Sequence, residues 1–238
     1  MTDNIATRDR LIFALDVPDV DAARTLASEL GDAVTFYKIG LELMMSGEYF
    51  ELLDWLLERD KKVFCDLKLF DIPATVGRAV SRLKDRGATY VTVHGYPSIM
   101  QAAADNKGET LKVLAVTVLT SLDRSDLDDL GADRSVEDLV IHRAKGAFES
   151  GCDGVIASGL ELPGIRANVD PELRVVTPGI RPDGDAGGSD QKRVVTVEQA
   201  IDGGASHIVV GRPIRDADNP RQAAEQIQAS IARAAGAK

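Results

Sequence analysis

The sequence predicts an α/β protein in which eight parallel strands, each followed by a helix, close into a (β/α)8 barrel. Short β-branched or apolar runs alternate with longer stretches of helical period, the pattern of βα units around a parallel sheet. Eight such repeats fit into 238 residues with few insertions, and barrels of this kind commonly reach ~250 residues as one domain. No G-x-G-x-x-G fingerprint follows the first strand, which weakens the dinucleotide-binding form of the competing open, doubly wound sheet.

The elements follow in order. LIFALD (11–16) is the first strand and leads into a helical stretch over 20–30. VTFYKI (34–39) is the second, followed by a helix over 49–59 in which Trp55 belongs with Leu52, Leu53, Leu56 and Leu57 as a core residue. KVFCDL (62–67) and a helix over 73–86 form the third unit, and YVTVH (90–94) with 98–105 the fourth. KVLAVT (112–117) precedes a helix over 136–150, and GVIA (154–157) one over 160–167. RVVT (174–177) and HIVV (207–210) complete the strands, with helices over 197–202 and 221–235. No linker or low-complexity run interrupts them, so residues 1–238 read as a single TIM-barrel domain.

Charge and composition exclude several classes. With 28 Lys+Arg against 38 Asp+Glu the net charge is −10, the wrong sign for gripping a nucleic-acid backbone. A small phosphorylated ligand stays open, because a pocket can be locally positive. Cys65 and Cys152, both in apolar surroundings, form neither a disulfide framework nor a metal-ligand spacing and read as reduced packing residues. No signal peptide or membrane span is indicated, and a cytoplasmic protein is expected.

The strand ends carry the chemistry. Residues i and i+2 share a strand face, which groups Ile12, Ala14 and Asp16; Val34, Phe36 and Lys38; Phe64, Asp66 and Lys68; and Tyr90, Thr92 and His94. Each face begins apolar or uncharged and ends polar or ionised, at the C-terminal mouth where barrel active sites lie. One charge at a strand end is commonly just solvated. Asp66-Leu67-Lys68-Leu69-Phe70-Asp71 places carboxylate, ammonium and carboxylate within six residues, and neighbouring opposite charges keep all of them ionised. Lys68 is thus available as an acid, with Lys38 as a second cation and a structural ion pair as the alternative. His94 reads as a supporting residue, and His142 and His207 as surface or packing residues.

The last strand runs into Gly211-Arg212-Pro213, where a glycine allows close approach to the backbone and a guanidinium can form bidentate bonds to phosphate. Thr177-Pro178-Gly179-Ile180-Arg181 and Gln191 bracket a Gly- and Asp-rich segment, 181–191, that could fold over the same anion. A plain surface turn competes for the Gly-Arg-Pro tripeptide alone but not for the whole set.

The motifs LIFALDVPD, FYKIG, DLKLFDIPATV, VTVHG, TVLTS, VTPGIRP and VVGRPI, in this order, resemble the orotidine 5′-phosphate decarboxylases of bacterial type across nearly the whole chain. The D-x-K-x-x-D element is also shared with magnesium-dependent sugar-phosphate decarboxylases and hexulose-phosphate synthases, which are the alternative. The resemblance implies conversion of orotidine 5′-monophosphate to uridine 5′-monophosphate, in de novo pyrimidine synthesis, without metal or organic cofactor. It implies a charged array of Lys38, Asp66 and Lys68, completed by Asp71 from the partner in a homodimer, with Ile72 and Thr75 of the partner also lining the site. Asp16 and Lys38 are then ribose contacts, Thr120 meets the pyrimidine amide and Pro178 packs near the base. Arg181, Gln191, Gly211 and Arg212 hold the phosphate. The chain departs from the family's pattern at Ala74, where Asn is usual, and in the acidic residues Asp183, Asp185 and Asp190 of the gripping loop.

Overall fold

Parallel strands that are apolar on both faces need cover on both, and a closed barrel wrapped in helices supplies it. The structure is a computed structural model and describes residues 5–129, 131, 133–182 and 193–236. In chain order the elements are β1 (Leu11–Ala14), α1 (Val20–Leu30), β2 (Phe36–Gly40), α2 (Leu41–Met45), α3 (Tyr49–Leu57), β3 (Lys62–Leu69), α4 (Pro73–Lys84), β4 (Tyr90–His94), α5 (Pro97–Asn106) and β5 (Lys112–Val116). They continue as α6 (Arg124–Asp129), α7 (Val136–Glu149), β6 (Gly154–Ile156), α8 (Leu162–Asn168), β7 (Arg174–Thr177), α9 (Val197–Asp202), β8 (His207–Val210), α10 (Arg212–Arg215) and α11 (Pro220–Gly236). All eight strands pair in parallel in sequence order, and β1 closes on β8 through Leu11↔Ile208, Ile12↔Val209 and Phe13↔Val210.

Alternation sorts the strand residues into two layers. Ile12, Ala14, Phe36, Phe64, Tyr90, Leu114, Val176 and Val209 fill the inside of the barrel. Leu11, Phe13, Tyr37, Ile39, Val63, Cys65, Val91 and Val93 point outward against the helices. Each fully buried large side chain of this kind contributes roughly 1.5–3 kcal/mol. Val34 departs from the expected face: the strand starts at Phe36, and Val34, just after a 3-10 turn over Gly31–Ala33, packs with the outer layer.

At the N-terminal end of the barrel His207 is buried, its Nε2 2.8 Å from the Tyr90 hydroxyl and its Nδ1 2.9 Å from the carbonyl of Asp9. That is a packing role, and His142 lies exposed on α7. Cys65 and Cys152 are free and buried, and burial pushes both thiols up to about 12. Helix starts are locally specified: Asp19 accepts from the Ala22 N–H at 2.8 Å, Thr196 and Gln199 form a reciprocal capping box, and Pro73 and Pro97 open α4 and α5. The sequence did not reveal the three short helices α2, α6 and α10, of four to six residues. Among the described residues no helix is long and apolar enough to cross a membrane.

Candidate active site

An irregularity in β3 shapes the mouth of the barrel. Its register with β4 runs Phe64↔Tyr90 and Cys65↔Val91 and then jumps to Leu69↔Val93, so residues 66–68 stand opposite Thr92 alone. Lys68 takes φ 45°, a left-handed conformation that costs a residue with a side chain on the order of 1–3 kcal/mol. Thr92 holds the bulge. Its hydroxyl accepts the Lys68 backbone N–H at 2.9 Å and donates to Asp66 Oδ1 at 2.8 Å. The bulge inserts two residues, which preserves alternation, and both Asp66 and Lys68 turn into the mouth.

Four charges alternate there. Asp16 Oδ1 lies 3.0 Å from Lys38 Nζ, Lys38 Nζ lies 3.5 Å from Asp66 Oδ2, and the same oxygen receives Lys68 Nζ at 2.8 Å. The Asp66 and Lys38 side chains are only 11% and 12% exposed, against 32% for Lys68, so the inner pair sits in a low-dielectric setting while Lys68 faces the open cavity. Burial alone would push the Asp66 carboxyl up. Lys38 and Lys68, with hydrogen bonds from Lys68 and Thr92, outweigh it and hold that carboxyl below its usual range. Burial alone would likewise lower the Lys38 ammonium, but Asp66 and Asp16 raise it, so the inner pair stays ionised at neutral pH.

The array forms one wall of a cavity of about 450 Å³ at the C-terminal mouth. The opposite wall is apolar, from Val116, Val118, Leu119 and Ile156, and Thr120 and Pro178 stand beside it. Arg181, Gly211 and Arg212 also line it, so the sequence-derived phosphate residues that are described share one cavity with the lysines. Gln191, and the acidic positions Asp183, Asp185 and Asp190, lie outside the described residues. A Cβ at Gly211 would meet Ala14 Cβ at 3.4 Å and Asp16 Oδ2 at 4.0 Å, ordinary contacts, so packing does not require glycine there. Gly179 is required by its backbone, with φ +79° in the turn that carries Pro178 to Arg181.

Asp71, Ile72 and Thr75 do not line this chain's own cavity. Asp71 is exposed at the end of β3, where its Oδ1 accepts the Ile72 N–H at 2.6 Å, and Ile72 is 66% exposed. Phe70, between Leu69 and Asp71, is also exposed and stacks on Tyr96 and against His94, with centroids 5.2 and 4.7 Å apart. His94 is therefore engaged with an aromatic cluster outside the cavity lining. Burial, then Arg143 and Lys68, hold its imidazole below the usual range, so it is neutral at pH 7.

Some residues at the mouth escape sequence reasoning. Thr92 reads in sequence as one more polar strand residue, and the bulge it braces is invisible there. Arg215 lines the cavity beside Asp16, with a 2.8 Å bond from Nη1 to the Asp16 carbonyl. Its only sequence signal was its spacing three residues after Arg212. Arg193 forms a buried ion pair with Glu161 and donates from Nη2 to the Leu119 carbonyl at 3.0 Å, bracing the apolar wall from behind.

Fold and cavity together define a (β/α)8 protein whose strand ends present an alternating carboxylate–ammonium array and guanidinium groups in one mouth pocket. The chain belongs to the Orotidine 5′-phosphate decarboxylase / HUMPS family, whose model matches residues 9–227. It is 61% identical over 227 residues to a Methylococcus capsulatus protein named orotidine 5′-phosphate decarboxylase, covering 95% of this chain and 93% of that one. A Xanthomonas oryzae protein of the same name is 53% identical over 233 residues, covering 98% and 96%. The crystal structure of orotidine 5′-phosphate decarboxylase from Lactobacillus acidophilus superposes with a TM-score of 0.82 at 34% identity, covering 94% of this chain and 99% of that one.

Proposed function

We propose that this chain decarboxylates orotidine 5′-monophosphate to uridine 5′-monophosphate in pyrimidine biosynthesis, without a cofactor, in the cytoplasm. The observation that carries the reading is the array Asp16–Lys38–Asp66–Lys68 in a cavity that Arg181 and Arg212 also line. The lining offers each part of a nucleotide a partner: guanidiniums for phosphate, Asp16 and Lys38 for ribose hydroxyls, and Thr120, Pro178 and the apolar wall for the base.

Lys68 is the acid in this reading. The bond between C6 of the base and its carboxylate breaks, CO2 departs, and the electron pair remains on C6, where the Lys68 ammonium stabilises it. Lys68 then transfers a proton to C6 and regains one from water. An ammonium fixed by Asp66 needs little reorganisation as charge develops, and its attraction is greater for the carbanion than for the ground state. Asp66 near the substrate carboxylate adds repulsion, a smaller effect than this preorganisation. The carboxylates nearest the centre are already paired with lysines, which disfavours a divalent cation between them.

Asp71 reaches a cavity, in this reading, across a homodimer interface, together with Ile72 and Thr75. The exposed Phe70, Ile72 and Tyr96 beside it supply an apolar surface suited to a second copy. The test is the fall in ultraviolet absorbance when purified protein meets orotidine 5′-monophosphate. Turnover that survives a chelator is expected; no absorbance loss, with magnesium-dependent turnover of a sugar phosphate in its place, would point to the sugar-phosphate branch of the family instead.

A further inference from the structure

Arg215 sits where β8 ends and β1 runs out. Gly211 is followed at once by α10, and residues three apart on a helix share a face, so Arg212 and Arg215 both reach the same cavity. Arg215 is gripped by its neighbour, with Nε 2.6 Å from Asp216 Oδ1 and Nη2 3.0 Å from Asp216 Oδ2, and this fork leaves Nη1 directed at the Asp16 carbonyl, 2.8 Å away.

Asp16 needs such a tie. The β1 strand ends at Ala14, and Leu15, whose N–H donates to the Lys38 carbonyl at 2.9 Å, is the last residue before it to bond across to β2. The Asp16 side chain is 46% exposed, and an ion pair that open to water holds its own geometry poorly. Yet its Oδ1 is what meets Lys38 at 3.0 Å, and Lys38 is the residue that joins Asp16 to Asp66. Fixing the Asp16 backbone fixes the outer end of the array. The hydrogen bond with Asp216 outweighs the opposing effect of burial and, with the charges of Asp216 and then Asp16, strengthens the hold of Arg215 on its proton.

We infer that Arg215 is a positioning residue: held by Asp216, its guanidinium clamps the Asp16 backbone to the end of β8 and so aims the Asp16 carboxylate at Lys38 and the sugar of a bound nucleoside monophosphate. The inference rests on the decarboxylase reading and extends it to residues outside the charged array. A lysine could not reproduce the clamp, because gripping Asp216 and the Asp16 carbonyl together uses the rigid, multi-donor fork of a guanidinium.

The test is a double-mutant cycle on the full-length protein, with orotidine 5′-monophosphate as substrate and wild type, Arg215→Met, Asp16→Ala and the double variant compared. Arg215→Met is expected to lower kcat/KM about tenfold, the scale of one lost hydrogen bond from a charged donor, and to move Tm by less than ~2 °C, as for a part-exposed side chain. In the Asp16→Ala background the same change is expected to cost less than about twofold, because the clamped carboxylate is gone. Arg215→Met within about twofold of wild type would overturn the inference, and so would factors that simply multiply, which would make Arg215 an independent ligand contact. A Tm loss above ~5 °C would overturn it as well, by making the residue a structural tie. An inert wild-type protein would instead bring down the decarboxylase reading, and this inference with it.

Discussion

Replacing Asp66 with Asn removes one negative charge from between two ammonium groups and changes little else in shape. Asp66 Oδ2 takes Lys38 at 3.5 Å and Lys68 at 2.8 Å, and Oδ1 takes the Thr92 hydroxyl at 2.8 Å. Breaking a buried pair by removing one partner typically costs about 3–5 kcal/mol. Lys38 keeps Asp16 and Lys68 can turn toward water, so the lower end applies, about 3 kcal/mol. For a chain of this size that corresponds to a fall in Tm of roughly 6–12 °C. Lys68→Met is the contrast: Asp66 keeps Lys38 and Thr92, and the loss should stay below ~1 kcal/mol, about 2–4 °C. The pH dependence has a definite sign. The folded Asp66 carboxyl is held below its ordinary value of 3.8, so its stabilisation is complete above that value and is lost as pH falls through the folded pKa. The gap between wild type and Asp66→Asn is therefore widest at neutral pH and closes in acid. Thermal unfolding followed by circular dichroism measures both. An Asn variant within ~2 °C of wild type at neutral pH, or a Lys68→Met variant that loses more than Asp66→Asn, would refute the reasoning.

Two further outcomes follow from the same geometry. If Asp71 serves the partner's cavity, mixing inactive Asp71→Ala and Lys68→Ala proteins restores part of the activity through heterodimers that carry one intact site, and no recovery despite demonstrated subunit exchange would count against a shared site. Arg212→Ala should weaken binding of uridine 5′-monophosphate about 10–150-fold, the range for bonds to a charged group, while leaving uridine binding nearly unchanged; calorimetry with both ligands checks it, and equal weakening of the two would remove the phosphate assignment.

The barrel was legible because its signals are periodic. β4, β7 and β8 fall where alternation and apolar runs put them, and α1 and α9 match residue for residue. Asp16, Lys38, Asp66 and Lys68 were legible as charges ending apolar strands, and the structure brings all four together. How Lys68 reaches Asp66 was not: the β3 bulge and the φ of 45° arise from pairing with β4, a long-range relation that spacing does not encode. Arg215 and Arg193 were missed for a related reason. Each acts through a backbone carbonyl distant in sequence, Asp16 and Leu119, and carbonyls leave no mark in the residue types.

The central claim is that a fixed ammonium at position 68 meets the carbon that becomes anionic. Its most direct measurement is the rate of ultraviolet absorbance loss from saturating orotidine 5′-monophosphate with Lys68→Ala beside wild type, paired with uridine 5′-monophosphate affinity for each. The account predicts that turnover disappears in the variant while its fold and most of its nucleotide affinity remain. Near-normal turnover by Lys68→Ala would contradict it.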